Sequence, residues 1–249
     1  QYALGGYHTG INGWEFSVEG YYKDMRNVLE YKDGVSFFGS SSGWENKVEM
    51  GKGRSAGIEF MAQKTAGKTT GWLSYTLSKS DRKFTKGGIN NGEWFPYKYD
   101  RRHSINLTIN HKFSDRIDIG ASWVFYTGGT STIPEEKTTV IRPHNGANNG
   151  FLWYGTYDNT NSSPTIGDVS YIEHRNNFRL PASHRLNLGV NFNKKTKHGM
   201  RTWNISLYNA YNAMNPAWVY RGHNKQGLSV IKKYTLLPLI PSFTYTYKF

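Results

Sequence analysis

From residue 243 to the last residue, rings and polar side chains alternate without a break. Phe243, Tyr245, Tyr247 and Phe249 fall on one side, and Thr244, Thr246 and Lys248 on the other. A period of two belongs to a β-strand with two unlike faces. A ring-bearing face that ends on a terminal Phe is a liability in water. It suits a strand with one face against lipid and the other lining a polar lumen. The four rings are therefore expected to face lipid, and Thr244, Thr246 and Lys248 the lumen.

The same alternation recurs upstream. Apolar sets are Trp14, Phe16, Val18 and Tyr22; Ala56, Ile58, Phe60 and Ala62; Leu73, Tyr75 and Leu77; and Ile105, Leu107 and Ile109. Further sets are Ile117, Ile119, Ala121, Trp123 and Phe125; Leu186, Leu188, Val190 and Phe192; and Trp203, Ile205 and Leu207. With the terminal strand and a weaker one over residues 2–8, nine strands are expected. The residues between these are Ser, Thr, Asn, Gly or charged. Mean hydropathy is −0.67, which suggests a soluble protein until one notes that alternating strands average out to polar. No apolar run approaches the ~20 residues of a spanning helix. Aromatic residues make up 16% of the chain, with 18 Tyr and 8 Trp, the residues of interfacial girdles.

Connections alternate in length. Short ones fall at residues 9–13, 65–68, 113–116 and 193–199, and long ones at 31–51, 81–100, 128–183 and 221–233. Tight turns at one end and large loops at the other define an all-β, transmembrane, antiparallel up-and-down barrel. The last long loop precedes the last strand, so the C-terminus is expected on the periplasmic side. Nine is an odd count where bacterial single-chain barrels have even ones. The chain is therefore expected to be part of a larger barrel, with residues 1–249 its C-terminal portion.

The net charge of +13 fits either an anionic partner or a solvated lumen and loops. Basic residues are scattered, and rings and charges fall on opposite faces, which argues against a nucleic-acid surface. The eight histidines have no metal-ligand spacing, and there is no nucleophile elbow or phosphate loop. No catalysis, cofactor or metal is expected. Arg101, Arg102 and His103 sit at the start of a strand after a long loop and are expected, with Arg185, to face the lumen or a plug. Arg175, Arg179, His184 and Arg185 surround another strand start. Pairing with the polar-face carboxylates Glu15, Glu19, Glu59 and Asp118 would stiffen the wall there. In the longest loop, Phe151, Trp153, Tyr154 and Tyr157 are candidates for stacking on a ring-bearing ligand, for folding the loop on itself, or for docking a surface lipoprotein.

Several stretches resemble the barrels of Bacteroidetes-type (SusC-like) TonB-dependent transporters. They are residues 175–181 (RNNFRLP) with 184–188 (HRLNL), residues 203–216 (WNISLYNAYNAMNP), residues 239–249 (LIPSFTYTYKF), residues 99–103 (YDRRH) and residues 22–25 (YKDM). The penultimate strand is read from residues 203–216. The resemblance implies a 22-stranded, plugged outer-membrane barrel, of which these strands would be the last nine. It also implies import of a scarce nutrient such as an iron chelate, cobalamin, a glycan or a peptide. The implied partners are outer-membrane lipid, a plug domain and the earlier strands, TonB acting through the plug, the barrel-assembly machinery, and a surface lipoprotein lid. In this family pattern Phe243, Tyr245, Tyr247 and Phe249 form the C-terminal assembly signal. A passive porin without energy coupling is the alternative.

Overall fold

The computed structural model describes residues 1–32, 43–85, 88–142 and 165–249. In chain order the strands are β1 (Tyr2–Thr9), β2 (Trp14–Tyr31), β3 (Val48–Lys64), β4 (Thr69–Lys83), β5 (Phe95–Pro96), β6 (His103–Lys112), β7 (Ile117–Tyr126) and β8 (Thr130–Ser131). They continue with β9 (Glu136–Arg142), β10 (Thr165–Tyr171), β11 (Phe178–Arg179), β12 (Ser183–Thr196), β13 (Gly199–Tyr208), β14 (Pro216–His223), β15 (Ser229–Thr235) and β16 (Ile240–Lys248). Nine of them form an antiparallel meander in the order β1-β2-β3-β4-β6-β7-β12-β13-β16, with β5 appended to β4. The sheet is open, with β1 and β16 at its edges.

The register puts the alternating apolar residues on one side. His8, Phe16, Ala62, Leu73, Leu107, Trp123 and Leu186 oppose one another in a continuous row across seven strands. On the last strands Ile205 opposes Phe243 and Trp203 opposes Tyr245. Gly5, Glu19, Glu59, Thr76, Ser104, Tyr126 and Ser183 form a corresponding row on the other side. Both sides of β16 are exposed throughout, and Phe249 is 101% exposed rather than packed in a core. Rings gather toward both ends of the apolar side. Trp14 stacks on Phe16 at 5.8 Å and Trp203 lies 4.5 Å from Tyr245 at the short-turn end; Tyr75 and His103 stack at 6.1 Å at the long-loop end. Between them lie mainly aliphatic residues such as Val18, Ile58, Leu77 and Ile105, with Phe60 stacked on Tyr75, in keeping with a membrane barrel wall.

Two of the short turns show a local cause. At residues 10–13, Asn12 and Gly13 take left-handed backbone angles (φ 61 and 75), which Asn and Gly tolerate best. At residues 113–116 the Ser114 hydroxyl accepts from the amides of Arg116 and Ile117, each at 3.2 Å. Lys112 lies 2.8 Å from Asp115; its hydrogen bond and then its charge hold the Asp115 carboxyl below the usual range. On the polar side near this end, Asp118 is the centre of a ladder. It accepts from Asn191 at 2.7 Å and Asn193 at 2.6 Å, while Asn204 donates to Asn191 and Thr202 to Asn193.

Strands β2, β3 and β4 continue past their apolar stretches in charged and polar residues, and end close to the expected loop boundaries at 31–51 and 81–100. Two expectations are corrected. The penultimate strand stops at Tyr208, not at residue 216, and the expected loop at 221–233 lies largely in strand. Residues 209–239 form the connection, and β14 and β15 make a separate hairpin inside it. Three asparagines stop the strand. Asn209 and Asn212 adopt φ 54 and 53. Asn209 accepts from the Ala213 amide at 2.8 Å and donates to the carbonyls of Ala213 and Leu237. Asn215 exchanges two hydrogen bonds with the His184 main chain.

Candidate functional site

At the long-loop end, the connections after β4 and β7 pack together over the polar side. Their small core is Phe84, Ile89 and Phe95, with Val28 of β2 against it. Phe84 and Phe95 are 6.0 Å apart. The chain can approach itself here because residues 128 and 129 are glycines: a Cβ on Gly128 would overlap the Leu180 carbonyl, and one on Gly129 would lie 2.7 Å from the Lys98 carbonyl.

Asp100 is the electrostatic centre of this cluster and is 1% exposed. Its carboxylate accepts from the Ser80 amide at 2.7 Å, from Arg102 Nε at 2.9 Å and from Arg179 Nη2 at 2.6 Å. Arg179 Nη1 donates to the carbonyls of Asp100 and Gly128. A buried carboxylate is tolerable only when it is satisfied in this way. Two positive groups and one main-chain amide thus join β4, the loop after it and the strand β11 of the next loop.

The rest of the 175–181 motif acts in the same manner. Arg175 donates its amide to Asn90 at 2.7 Å and Nη1 to the Tyr31 carbonyl at 2.7 Å, and it lies 3.5 Å from Glu30. Glu30 also pairs with Arg82 at 3.2 Å, and the Arg82 guanidinium lies 3.7 Å from the Tyr97 ring centre. Asn176 donates to the Pro96 carbonyl at 2.8 Å. Asn177 brackets Ile133, accepting from its amide and donating to its carbonyl. Arg221 of β14 reaches the Pro134 carbonyl at 3.3 Å, which brings the hairpin against the same loop. The cluster presents half-exposed rings outward, among them Tyr99, Trp94 and the stacked pair Trp218–Tyr234, whose centroids are 4.3 Å apart. Chemically it is a cross-braced scaffold for presenting loops.

The sequence-derived candidates are distributed as follows. Arg101 stacks over the Tyr126 ring at 3.9 Å, and Arg102 pairs with Asp100. His103 is a correction. The register opposes it to Leu77 on the apolar side, and its Nδ1 meets the Tyr75 hydroxyl at 2.9 Å, so it does not face the polar side. His184 is also on the apolar side, 2.9 Å from the Tyr211 hydroxyl, to which Trp123 Nε1 donates. Arg185 is on the polar side, stacked 4.3 Å over Tyr208 and hydrogen-bonded to its hydroxyl. The expected pairing of Arg175, Arg179, His184 and Arg185 with Glu15, Glu19, Glu59 or Asp118 does not occur. Glu30, at the end of β2, and the loop carboxylate Asp100 take the first two, and asparagines satisfy Asp118. Phe151, Trp153, Tyr154 and Tyr157 lie outside the described residues. Sequence reasoning missed Asp100, Glu30 and Asn209. The signals were an Asp directly before two arginines, and the Asn-x-x-Asn-x-x-Asn spacing of residues 209–215.

A comparison with curated proteins finds no match. A family model for the TonB-dependent receptor-like β-barrel matches residues 1–222, which is nearly the whole meander and reaches into the β14 hairpin strand. The two-faced antiparallel sheet, its girdles and the alternation of turns and loops agree with that match, and the chain belongs to the TonB-dependent receptor-like β-barrel family, whose barrels serve transport across the outer membrane.

Proposed function

We propose that this chain supplies wall and outer loops to an active, TonB-coupled importer of the Bacteroidetes SusC-like type. Its cargo class is a scarce nutrient: an iron chelate, cobalamin, a glycan or a peptide. The observation that carries the reading is the Asp100–Arg179 brace. Two of the stretches that resemble that type, 99–103 and 175–181, grip each other above the polar side. A braced mouth lets loops hold a ligand while a plug moves beneath a fixed wall. In this reading the apolar side meets lipid, the long loops are extracellular and the C-terminus is periplasmic. The strand end from Phe243 to Phe249 is the segment the barrel-assembly machinery would engage. The loop between β9 and β10, with Trp153 and Tyr154, is the surface for ligand or a lipoprotein lid.

The test uses the full-length protein in cells. Uptake should fall to background when TonB is depleted or the proton gradient is collapsed. Uptake that persists undiminished identifies a passive porin instead. Trp153→Ala with Tyr154→Ala should reduce uptake or lipoprotein co-purification while surface expression is kept. Protease access to residues 143–164 only from the periplasmic side would reverse the orientation.

A further inference from the structure

Above the apolar band, the outward side of β2, β3 and β4 carries an unusual level. Arg26, Lys52 and Lys83 stand directly opposite one another on three neighbouring strands. The level below mixes the two signs: Asp24, Arg54 and Asp81 share a row, and Arg54 pairs with Asp81 at 3.1 Å. The cation row has no such relief. Arg26 has one loose pairing, to Asp24 at 3.7 Å, with its side chain 81% exposed. Among the described residues, Lys52 and Lys83 have no carboxylate within ion-pair distance. Like charges directly opposite one another on adjacent strands are unfavourable, so the row repels itself unless an anion sits on it.

Its height identifies the anion. The last largely uncharged row on this side is Tyr22 and Ala56, ending in Lys79, which pairs with Asp81 at 3.4 Å. Arg26 lies four positions farther along β2, about 13 Å of strand at ~3.3 Å per residue, or about 10 Å of height at a tilt of ~40°. That level lies above the hydrocarbon edge, in the headgroup region of a leaflet. The next row outward returns to apolar residues, Leu29 and Met50, so the cations form a single band.

We propose that Arg26, Lys52 and Lys83 bind the phosphate groups of an anionic, phosphorylated glycolipid of the outer leaflet, whose acyl chains lie along the apolar side below. The assignment rests on the outer-membrane orientation proposed above. Three cations on a rigid sheet, spaced by the ~4.8 Å strand separation, can share two phosphates better than a mobile loop can.

The full-length protein would be extracted from outer membranes in mild detergent, and the phosphorylated glycolipid retained per protein measured by mass spectrometry. Arg26→Gln/Lys52→Gln/Lys83→Gln should lower retention by roughly fivefold per cation. Wild-type protein given enzymatically dephosphorylated glycolipid should retain as little as the variant. The control Lys68→Gln/Lys197→Gln, with both changes at the short-turn end, should retain as much as wild type. Equal retention by the triple variant overturns the proposal, as does an equal loss in the control. Displacement of the glycolipid by millimolar inorganic phosphate alone would assign the row to a soluble anion and also overturn it. So would loss of a co-purifying protein with lipid unchanged. If protease reaches residues 143–164 only from the periplasmic side, the underlying orientation fails instead, and that measurement is separate.

Discussion

Arg179 and Asp100, 79 positions apart, are joined twice: Nη2 on the carboxylate at 2.6 Å and Nη1 on the Asp100 carbonyl at 2.8 Å. The forked geometry is one that arginine can make and lysine cannot. Asp100→Ala leaves Arg179 and Arg102 without their shared carboxylate. Breaking a fully buried pair costs about 3–5 kcal/mol. Both guanidinium groups here are about a third exposed, so the loss should be smaller, roughly 2 kcal/mol. It should be local. Hydrogen exchange should accelerate in residues 95–102 and 175–182 and not in β12 or β13. Uniform acceleration across the sheet would mean that Asp100 supports the wall rather than the loops.

Gly128 tests the same cluster through packing. Gly128→Val should push the loop off Leu180, because a Cβ there overlaps the Leu180 carbonyl. The Leu180 amide bond to the Gly129 carbonyl, 2.9 Å, should break with it. Surface proteolysis within residues 128–182 should rise severalfold with barrel assembly unchanged. A variant as protease-resistant as the parent would show that the loop has room to shift.

Much of this architecture was legible because membrane barrels encode each strand twice, by period and by the contrast between faces. The nine strands, the four short turns and the first three long connections followed from that. The positions of the loop strands did not. β5, β8 and β11 are two-residue pairings imposed by tertiary braces such as Asp100, and they carry no periodic signal. The β14–β15 hairpin alternates like a wall strand but pairs only with itself, so period could not place it. His103 continues the apolar phase of Ile105 and Leu107, and the phase, not its polarity, decided its side. Its hydroxyl partner Tyr75 makes that position tolerable.

Asn209 should be the most sensitive residue of the turn after β13. It is 1% exposed, adopts φ 54 and satisfies three main-chain groups through its side chain. Asn209→Ala adds a left-handed penalty of roughly 1 kcal/mol to three hydrogen bonds worth about 1 kcal/mol each, for a loss of about 4 kcal/mol in all. Asn209→Gly removes the bonds but relieves the backbone, and should cost about 1 kcal/mol less. Urea unfolding of the refolded full-length protein in lipid vesicles measures both. Equal losses would mean that the backbone angle contributes nothing.

The assignment of faces is tested most directly by a neighbouring pair on β13. Ile205 opposes Val190 and Phe243 on the apolar side, and its neighbour Asn204 opposes Asn191 and Thr244 on the polar side. Ile205→Lys places an ammonium toward lipid beside Val190 and Phe243, at a cost of about 2–4 kcal/mol near the bilayer midplane. Asn204→Lys loses only the 2.7 Å bond to Asn191, about 1 kcal/mol, because the lumen hydrates the charge. Comparing the two by unfolding in vesicles, and by the fraction assembled in the outer membrane, removes any general effect of adding a lysine to this strand. The expected order is Ile205→Lys far below Asn204→Lys. The reverse order would put lipid on the polar side, and with it the long loops, the Asp118 ladder and the cation row would all need a different surrounding medium.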